Sequence, residues 1–201
     1  MYPKDNGHSL IIGATNTGKT HYMLNLLEKE YYKHFDDIVI FCPTLRVNKT
    51  YLNRNFIWQD DHIFVVNPEN NLNGNLEYYY NVFKDPDSKT LFIIDDCSAE
   101  KSINKKREAL SKLAFSGRHV GISVWILTQK YNSVSKDFRE NISWLCLFFT
   151  KDRGSLEETL QENDVIPTDK IKEIKELLKQ KKHSRLILKL TQPTAFQVEA
   201  S

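Results

Sequence analysis

The fold of this chain is decided by one stretch near its start, Gly13-Ala14-Thr15-Asn16-Thr17-Gly18-Lys19-Thr20. The stretch matches the pattern G-x-x-x-x-G-K-S/T in full, and it lies between the apolar run Leu10 to Ile12 and a helical stripe that begins at Met23. In such a strand–loop–helix unit, backbone N–H groups and the helix N-terminus surround a phosphate. Lys19 is then expected to contact the β- and γ-phosphates, and the Thr20 hydroxyl to ligate Mg²⁺. The sequence therefore predicts a site for a nucleoside triphosphate.

Apolar runs of strand length alternate with helical patterns along the chain. The runs expected to be strands are nearly continuous in Ile, Val, Leu and Phe, which is typical of parallel strands covered on both faces. They are Ser9 to Ile12, Asp37 to Phe41, Thr90 to Asp95, Gly121 to Thr128 and Ser143 to Phe149, with Ile63 to Val66 as an edge strand and Ser184 to Leu190 with Ala195 to Val198 as a hairpin. This alternation predicts an α/β fold around a largely parallel sheet flanked by helices. The polar segment from Asn48 to Asp61 is irregular, and its sequence assigns it to no element.

Two carboxylates follow one of these strands. The apolar run Leu91 to Ile94 leads directly into Asp95 and Asp96. Where a phosphate-binding loop is present, the acid at the end of such a strand lies beside the Mg²⁺, which assigns Asp95 to the metal. Asp96 then occupies the position from which a carboxylate activates the attacking water, although many ATPases carry a longer Glu there. A surface Asp-Asp turn is the alternative interpretation.

The strand expected from Gly121 to Thr128 leads into Gln129. In proteins that insert a strand between the phosphate-loop strand and the acidic strand, the polar residue at its end contacts the γ-phosphate or the lytic water. An amide suits that role because it donates a hydrogen bond to phosphate and accepts one from water. Gln129 is therefore the candidate sensor, with Thr128 as a neighbour able to share the role. A polar cap on the strand is the alternative.

Composition and charge narrow the class of protein. Of the 201 residues, 40% are hydrophobic and 27% are charged, and the formal net charge is +2. One globular domain is favoured, and disordered or collagen-like classes are excluded. The longest apolar run, Trp144 to Phe149, is far below the roughly 20 residues that cross a bilayer, and the first residues lack a signal-peptide core. Cys42, Cys97 and Cys146 lack metal-binding spacing, so we expect a soluble protein of a reducing compartment.

Together these motifs resemble the poxvirus-type genome-packaging ATPases of the FtsK–HerA superfamily, which occur in large DNA viruses, virophages and related elements. The resemblance rests on the phosphate loop, on the strand ending in Asp95 and Asp96, and on the run Ser116-Gly117-Arg118-His119 before the Gln129 strand. It implies a RecA-like P-loop core with strand order 5-1-4-3-2, counting the five main strands in chain order. That core would occupy residues 1–150, and residues 151–201 would add helices and strands packed on the same domain.

The resemblance also implies an activity. An ATPase of this family, with ATP and Mg²⁺ as cofactors, pulls double-stranded DNA into a preformed viral capsid. It works as a homo-oligomeric ring of five or six subunits and needs no membrane partner. The expected location is the host cytoplasm, at the site of virus assembly, and the virion. Lys19, Asp96 and Gln129 would be catalytic, the loop from Gly13 to Thr20 would bind the nucleotide, and Thr20 and Asp95 would hold the metal.

Arg118 is expected to act on the nucleotide of a neighbouring subunit. It precedes a strand that should run parallel to the phosphate-loop strand, so the length of that strand separates it from its own nucleotide. Seven or eight residues at about 3.3 Å each make the separation roughly 25 Å, which is beyond the reach of an arginine. In a ring its guanidinium can instead stabilise the phosphoryl group of the next subunit in trans. A surface salt bridge is the alternative.

Three clusters of cations are candidates for a DNA surface, because phosphate contacts suit a protein that moves DNA of any sequence. The first follows the acidic strand and consists of Lys101, Lys105, Lys106 and Arg107. The second ends the last expected helix, at Lys179, Lys181, Lys182, His183 and Arg185, and the third lies in or beside the irregular segment, at Arg46, Lys49 and Arg54. A solvated helix face is the alternative for the first two.

Two other classes of protein share the phosphate loop. A small nucleotide or metabolite kinase needs an Arg-rich lid and an acceptor pocket, for which Arg153 alone is thin support. A non-enzymatic switch of the GTPase kind needs an Asn-Lys-x-Asp motif, and none follows an apolar strand. Stimulation of ATP turnover by DNA favours the translocase, whereas turnover that requires a small acceptor favours the kinase.

Overall fold

The core of the molecule is one mixed sheet. The computed structural model describes residues 7–97, 108–151 and 153–200. Their strands are β1 His8–Ile12, β2 Asp37–Phe41, β3 Ile63–Val66, β4 Thr90–Ile94, β5 Ile122–Thr128, β6 Ile142–Phe148, β7 Arg185–Lys189 and β8 Ala195–Glu199. Across the sheet the strands follow the order β3-β2-β4-β5-β1-β6-β7-β8. Every pairing from β3 to β6 is parallel, and β7 and β8 join as antiparallel strands.

Helices cover both faces of the sheet. One face packs against α1 (Lys19–Leu26, continued by a π-helical turn Leu27–Tyr31), α2 (Lys49–Leu52) and α3 (Asn55–Gln59). The other packs against α4 (Leu72–Phe83), α5 (Glu108–Ser116), α6 (Lys136–Glu140), α7 (Arg153–Glu162) and α8 (Thr168–Gln180). Because side chains alternate along a strand, Leu10 and Ile12 enter one core and Ile11 the other, and all three are fully buried. This two-sided burial explains why the strands are continuous in apolar residues.

The strand register brings three loop starts to one edge of the sheet. Ile12 of β1 pairs with Thr128 of β5, and Ile94 of β4 pairs with Ile126 of β5. Since these strands are parallel, their carboxyl ends point the same way, and the chain leaves them at Gly13, Asp95 and Gln129. The edge formed by these ends is where ligands bind in open α/β sheets.

The predicted α/β class and strand order are confirmed. The five main strands alone stand in the order 2-3-4-1-5 across the sheet, which is 5-1-4-3-2 counted from the opposite edge. The expected edge strand Ile63–Val66 lies outside β2, and the expected hairpin β7–β8 extends the other edge through β6. One sheet thus contains residues from both sides of position 150, while the division of the chain there stays a prediction.

The polar segment from Asn48 to Asp61, which the sequence assigns to no element, forms the short helices α2 and α3. The side chain of Asn48 caps α2 by accepting a hydrogen bond of 2.9 Å from the Thr50 N–H. Tyr51 and Ile57 turn inward and are buried against the α1 side of the sheet. Helices of four and five residues are too short to show an apolar period, which is why the pattern of the sequence did not reveal them.

The cysteines behave as apolar residues. Cys42, Cys97 and Cys146 are buried thiols outside any disulfide. Burial is the main cause that raises the pKa of Cys42 to about 11, and it raises that of Cys146 as well. The thiols of Cys42 and Cys146 therefore stay protonated, and all three cysteines are buried as small side chains of the core. Within the ranges that the structure describes, no helix has both the length and the apolar character that a bilayer crossing requires.

Candidate nucleotide-binding site

The phosphate loop connects β1 to α1 at the carboxyl edge of the sheet. The Gly13 N–H donates to the Thr128 carbonyl (3.1 Å), which ties the loop to β5. A Cβ at Gly13 would lie 2.6 Å from Cβ of Phe148, so a larger residue does not fit there. Gly18 has φ +94°, a left-handed conformation that favours glycine. Both glycines of the motif are thus required by the shape of the loop.

Lys19 lies against the inside of its own loop. Its Nζ donates to the carbonyl oxygens of Gly13 (2.7 Å) and Ala14 (3.0 Å). Burial lowers the pKa of Lys19, and the charges of Asp95 and Asp96 oppose that shift. The amine therefore lies inside the loop and donates to two carbonyl oxygens. A phosphate oxygen that enters the loop can replace either carbonyl as the acceptor.

Asp95 is the buried carboxylate of the site, with 3% of its surface exposed. Its Oδ2 accepts hydrogen bonds from Oγ1 of Thr20 (2.9 Å) and from the hydroxyl of Tyr51 (2.7 Å). Burial raises the pKa of Asp95, and these two hydrogen bonds oppose the shift. Burial, together with the nearby carboxylate, raises the pKa of Tyr51 well above its usual range, so that the phenol remains a donor.

Asp96 stands next to this buried pair and is exposed. Its φ is +56°, which is uncommon for a residue other than glycine. Oγ1 of Thr44, on the loop after β2, donates to Oδ2 of Asp96 (3.2 Å). An exposed carboxylate beside a phosphate loop can accept a proton from water, and that role of Asp96 stays a prediction.

The predicted site residues converge on one cleft of about 580 Å³. Lys19, Thr20, Asp95, Asp96 and Gln129 all line it. Thr128 lines it as well, but its hydroxyl lies 2.6 Å from Oγ of Ser133, so that group is engaged inside the turn that follows β5. Gln129 is exposed at the end of β5 and has the freer side chain of the two.

The turn between α8 and β7 contacts the phosphate loop. The sequence of the turn gives no sign of this contact. Nδ1 of His183 lies 2.8 Å from the Thr17 carbonyl oxygen, and His183 adopts a left-handed φ of +65°. A Cβ at Gly18 would come within 3.0 Å of the same Nδ1. Lys182 lines the cleft beside Lys19 and Gln129. Lys182 and His183 belong to the second cationic cluster of the sequence, which is interpreted either as a DNA surface or as a solvated helix end.

Arg118 lies at the opposite end of β5. It is exposed, in a 3₁₀ turn Gly117–Val120 that leads into the strand. The seven residues of β5 separate it from Gln129. At about 3.3 Å per residue the strand is roughly 23 Å long. Arg118 therefore does not line the cleft of its own chain, and a role on another chain stays a prediction.

The cationic clusters differ in their surroundings. Lys101, Lys105, Lys106 and Arg107 lie outside the described residues. In the second cluster, Lys179 pairs with Glu176 and Arg185 pairs with Glu199. In the third, Arg54 pairs with Glu28, whereas Arg46 is exposed. Some of the cations in the second and third clusters are thus partly neutralised by ion pairs with glutamates of the same chain.

The donor set of the cleft fits Mg²⁺. Thr20 and Asp95 offer one hydroxyl and one carboxylate at the mouth of the loop, and Mg²⁺ in nucleotide sites typically uses one or two such ligands, with phosphate oxygens and water completing the shell. In the described part of the chain, no three His, Cys, Asp or Glu side chains converge to form a denser metal site. These side chains therefore suit a metal that arrives with a nucleotide.

The strand–loop–helix unit, the acidic strand and the strand inserted between them define the class of this protein as a P-loop NTPase with a RecA-like core. The chain belongs to the family described as Poxvirus A32 protein, whose sequence model matches residues 4–198. The family resemblance indicated by the motifs is therefore confirmed. A comparison with curated protein sequences found no match.

Solved structures share the fold at low sequence identity. The genome packaging NTPase B204 of Sulfolobus turreted icosahedral virus 2, in complex with AMPPCP, has a TM-score of 0.70 and 16% identity, with 98% of each chain covered. B204 of Sulfolobus turreted icosahedral virus, described as a DNA-packaging ATPase, has a TM-score of 0.66 and 20% identity over 99% of this chain and 98% of that one. ATPases 2 and 3 of EssC from Geobacillus thermodenitrificans reach 0.68 with 13% identity, over 100% of this chain and 40% of theirs.

Proposed function

We propose that this protein is an ATP-hydrolysing double-stranded DNA translocase that packages a viral genome. The observation that carries the proposal is the convergence of Lys19, Thr20, Asp95, Asp96 and Gln129 on one cleft at the carboxyl edge of the sheet. Family membership supports it, as does the likeness to B204, which is described as a genome packaging NTPase.

Phosphate binding begins with Lys19. Its amine exchanges the carbonyls of Gly13 and Ala14 for the β- and γ-phosphate oxygens, while the N–H groups of the loop and the start of α1 surround the phosphates. The residues that would hold Mg²⁺ are Thr20, through its hydroxyl, and Asp95, through water. The metal, when bound, supplies positive charge that neutralises the phosphate oxygens.

Hydrolysis is assigned to the exposed groups of the cleft. Asp96, which lines the cleft and accepts a hydrogen bond from Thr44, accepts the proton of the attacking water. Gln129 orients that water and the γ-phosphate, because its amide both donates and accepts. Arg118, exposed at the far end of β5, supplies its guanidinium to the nucleotide of the next subunit in a homo-oligomeric ring of five or six.

The remaining parts of the proposal concern partners and location. Double-stranded DNA contacts the cations that follow β4, namely Lys101, Lys105, Lys106 and Arg107. The ring docks on a viral capsid, and the protein acts in the host cytoplasm where virions assemble, with no membrane partner. We also propose that residues 1–150 form the ATPase core and that residues 151–201 pack on it, which the pairing of β7 with β6 supports.

The test is ATP turnover with and without double-stranded DNA, using Lys19→Ala as the inactive control. We expect DNA to stimulate turnover by the unaltered protein and Lys19→Ala to fold but not to hydrolyse ATP. Turnover that requires a small acceptor and ignores DNA would contradict the translocase and favour a kinase.

The proposed DNA surface has a test of its own. Neutralising Lys105, Lys106 and Arg107 together should weaken DNA affinity similarly across sequences. It should also flatten the slope of log affinity against log salt by about 0.9 for each duplex phosphate that the protein no longer neutralises. An unchanged slope would contradict that surface.

A further inference from the structure

A buried tyrosine outside every motif touches the metal-binding part of the site. Tyr51 lies on α2 and its side chain is fully buried, with 0% of its surface exposed. Its hydroxyl donates to Oδ2 of Asp95 across 2.7 Å, although the two residues are 44 positions apart. The P-loop pattern and the acidic strand explain Thr20 and Asp95, but neither explains a tyrosine at this position.

The hydroxyls of Tyr51 and Thr20 fix one oxygen of the carboxylate from two different elements. Thr20, at the start of α1, and Tyr51, on α2, both donate to Oδ2, so neither bond engages Oδ1. A carboxylate with a single donor can rotate about that bond, whereas two donors from different directions set its plane. The hydroxyl of Thr20 is also assigned to the metal, which leaves the Tyr51 hydroxyl as the donor dedicated to Asp95.

The loop that leads to Tyr51 also holds the second carboxylate. Thr44, on the loop after β2, donates to Oδ2 of Asp96 across 3.2 Å. Residues 44–51 therefore contact both acids that follow β4, one from an exposed position and one from the core. One connection thus sets the orientation of the two side chains on which metal binding and water activation are proposed to depend.

We propose that Tyr51 is a positioning residue of the magnesium site, and that it acts by holding the Asp95 carboxylate in the plane that presents it to the metal and its water. The inference rests on the proposed function for the existence of that metal site. Tyr51 is not among the described residues that line the cleft. Loss of its hydroxyl should therefore weaken the response of the site to Mg²⁺ specifically, and leave the binding of metal-free nucleotide unchanged.

The variant Tyr51→Phe removes the hydroxyl and keeps the buried ring. Tyr32→Phe is the matched control, because the Tyr32 hydroxyl also donates to an aspartate, Asp60, away from the cleft. Two quantities are measured against Mg²⁺ concentration: turnover, and the affinity of a fluorescent ATP analogue. For Tyr51→Phe we expect the half-saturating Mg²⁺ concentration to rise and kcat to fall, together by about tenfold to a hundredfold, as for the loss of a hydrogen bond to a charged group.

Three outcomes with the single variants would overturn the assignment. They are an unchanged Mg²⁺ dependence in Tyr51→Phe, an equal effect in Tyr32→Phe, and a fall in kcat with no shift in Mg²⁺ dependence, which is what a merely structural tyrosine would give. In an Asp95→Asn background, Tyr51→Phe should add no further shift, and a full additional shift would also contradict the proposal. If the unaltered protein binds the analogue with Mg²⁺ but hydrolyses nothing, the proposed function fails, while the analogue titration still tests Tyr51.

Discussion

Acid should destabilise this protein through one buried histidine, His8, at the start of β1. Its side chain is fully buried, and its Nδ1 accepts a hydrogen bond of 3.2 Å from the Val124 N–H. Burial is the main cause that lowers the pKa of His8 from 6.5 to about 4, and the charge of Arg118 lowers it further, while the carbonyls of Leu113 and Ala114 oppose the shift. The folded protein therefore keeps this imidazole neutral at pH values where the unfolded chain protonates it.

The sign and size of the effect follow from that difference. Between pH 6.5 and pH 4 the unfolded state binds more protons at His8 than the folded state, so the free energy of unfolding falls as the pH falls. A shift of about 2.5 pKa units at 1.36 kcal/mol per unit corresponds to about 3 kcal/mol, present in full above pH 6.5 and largely lost at pH 4. That is a large part of the stability of a typical domain.

The assay is urea unfolding at a series of pH values for three proteins. His8→Asn keeps an acceptor near the position of Nδ1 but cannot titrate, and His21→Gln removes an exposed histidine as a matched control. Between pH 7 and pH 4 the unaltered protein should lose about 3 kcal/mol of unfolding free energy relative to His8→Asn. His21→Gln should follow the unaltered protein. Parallel curves for unaltered protein and His8→Asn would contradict a lowered pKa of His8 in the folded state.

Three further predictions concern the site and its frame. Asp96→Asn should retain binding of Mg·ATP but lose at least about a hundredfold in turnover, because an amide is a poor proton acceptor; a normal rate in a coupled ATPase assay places the base elsewhere. Arg118→Ala should bind ATP normally but hydrolyse little, and mixing it with Lys19→Ala should restore activity in mixed rings, where an intact Arg118 meets an intact P-loop; no recovery in demonstrably mixed rings argues against a role in trans. Gly121→Ala should lower the free energy of unfolding by more than about 2 kcal/mol, since φ is +75° and a Cβ would lie 2.1 Å from the Ser88 carbonyl oxygen; thermal melting that matches the unaltered protein would contradict this.

The parts of the structure that could be predicted are those in which several neighbouring residues share one pattern, such as a run of apolar side chains or a fixed motif spacing. The strands β1, β4 and β5 are buried on both faces, so their composition identifies them without reference to the rest of the chain. Gly18 and Lys19 were recognisable because phosphate binding imposes a fixed spacing on neighbours in sequence.

The parts that could not be predicted depend on single contacts between distant residues. Tyr51 contributes one hydroxyl from a four-residue helix, and no periodicity accompanies it. His183 meets the Thr17 carbonyl across 166 positions, and in sequence it is only one member of a basic run. A histidine whose pKa is lowered by burial, such as His8, also leaves no local pattern, because its environment is made by residues far along the chain.

The position of β1 in the centre of the sheet has a consequence for the order of folding on the ribosome. Both neighbours of β1 in the sheet are encoded more than 100 residues after it, since β1 ends at residue 12, β5 begins at residue 122 and β6 begins at residue 142. At about 5–20 residues per second, a nascent chain carries an unpaired β1 for roughly ten seconds before either neighbour is synthesised. Pairings of such long sequence separation also form slowly. The phosphate loop therefore leaves the ribosome well before the two strands that hold β1 in the sheet, and the turn that carries His183, which contacts the loop at Thr17, is translated after both of them.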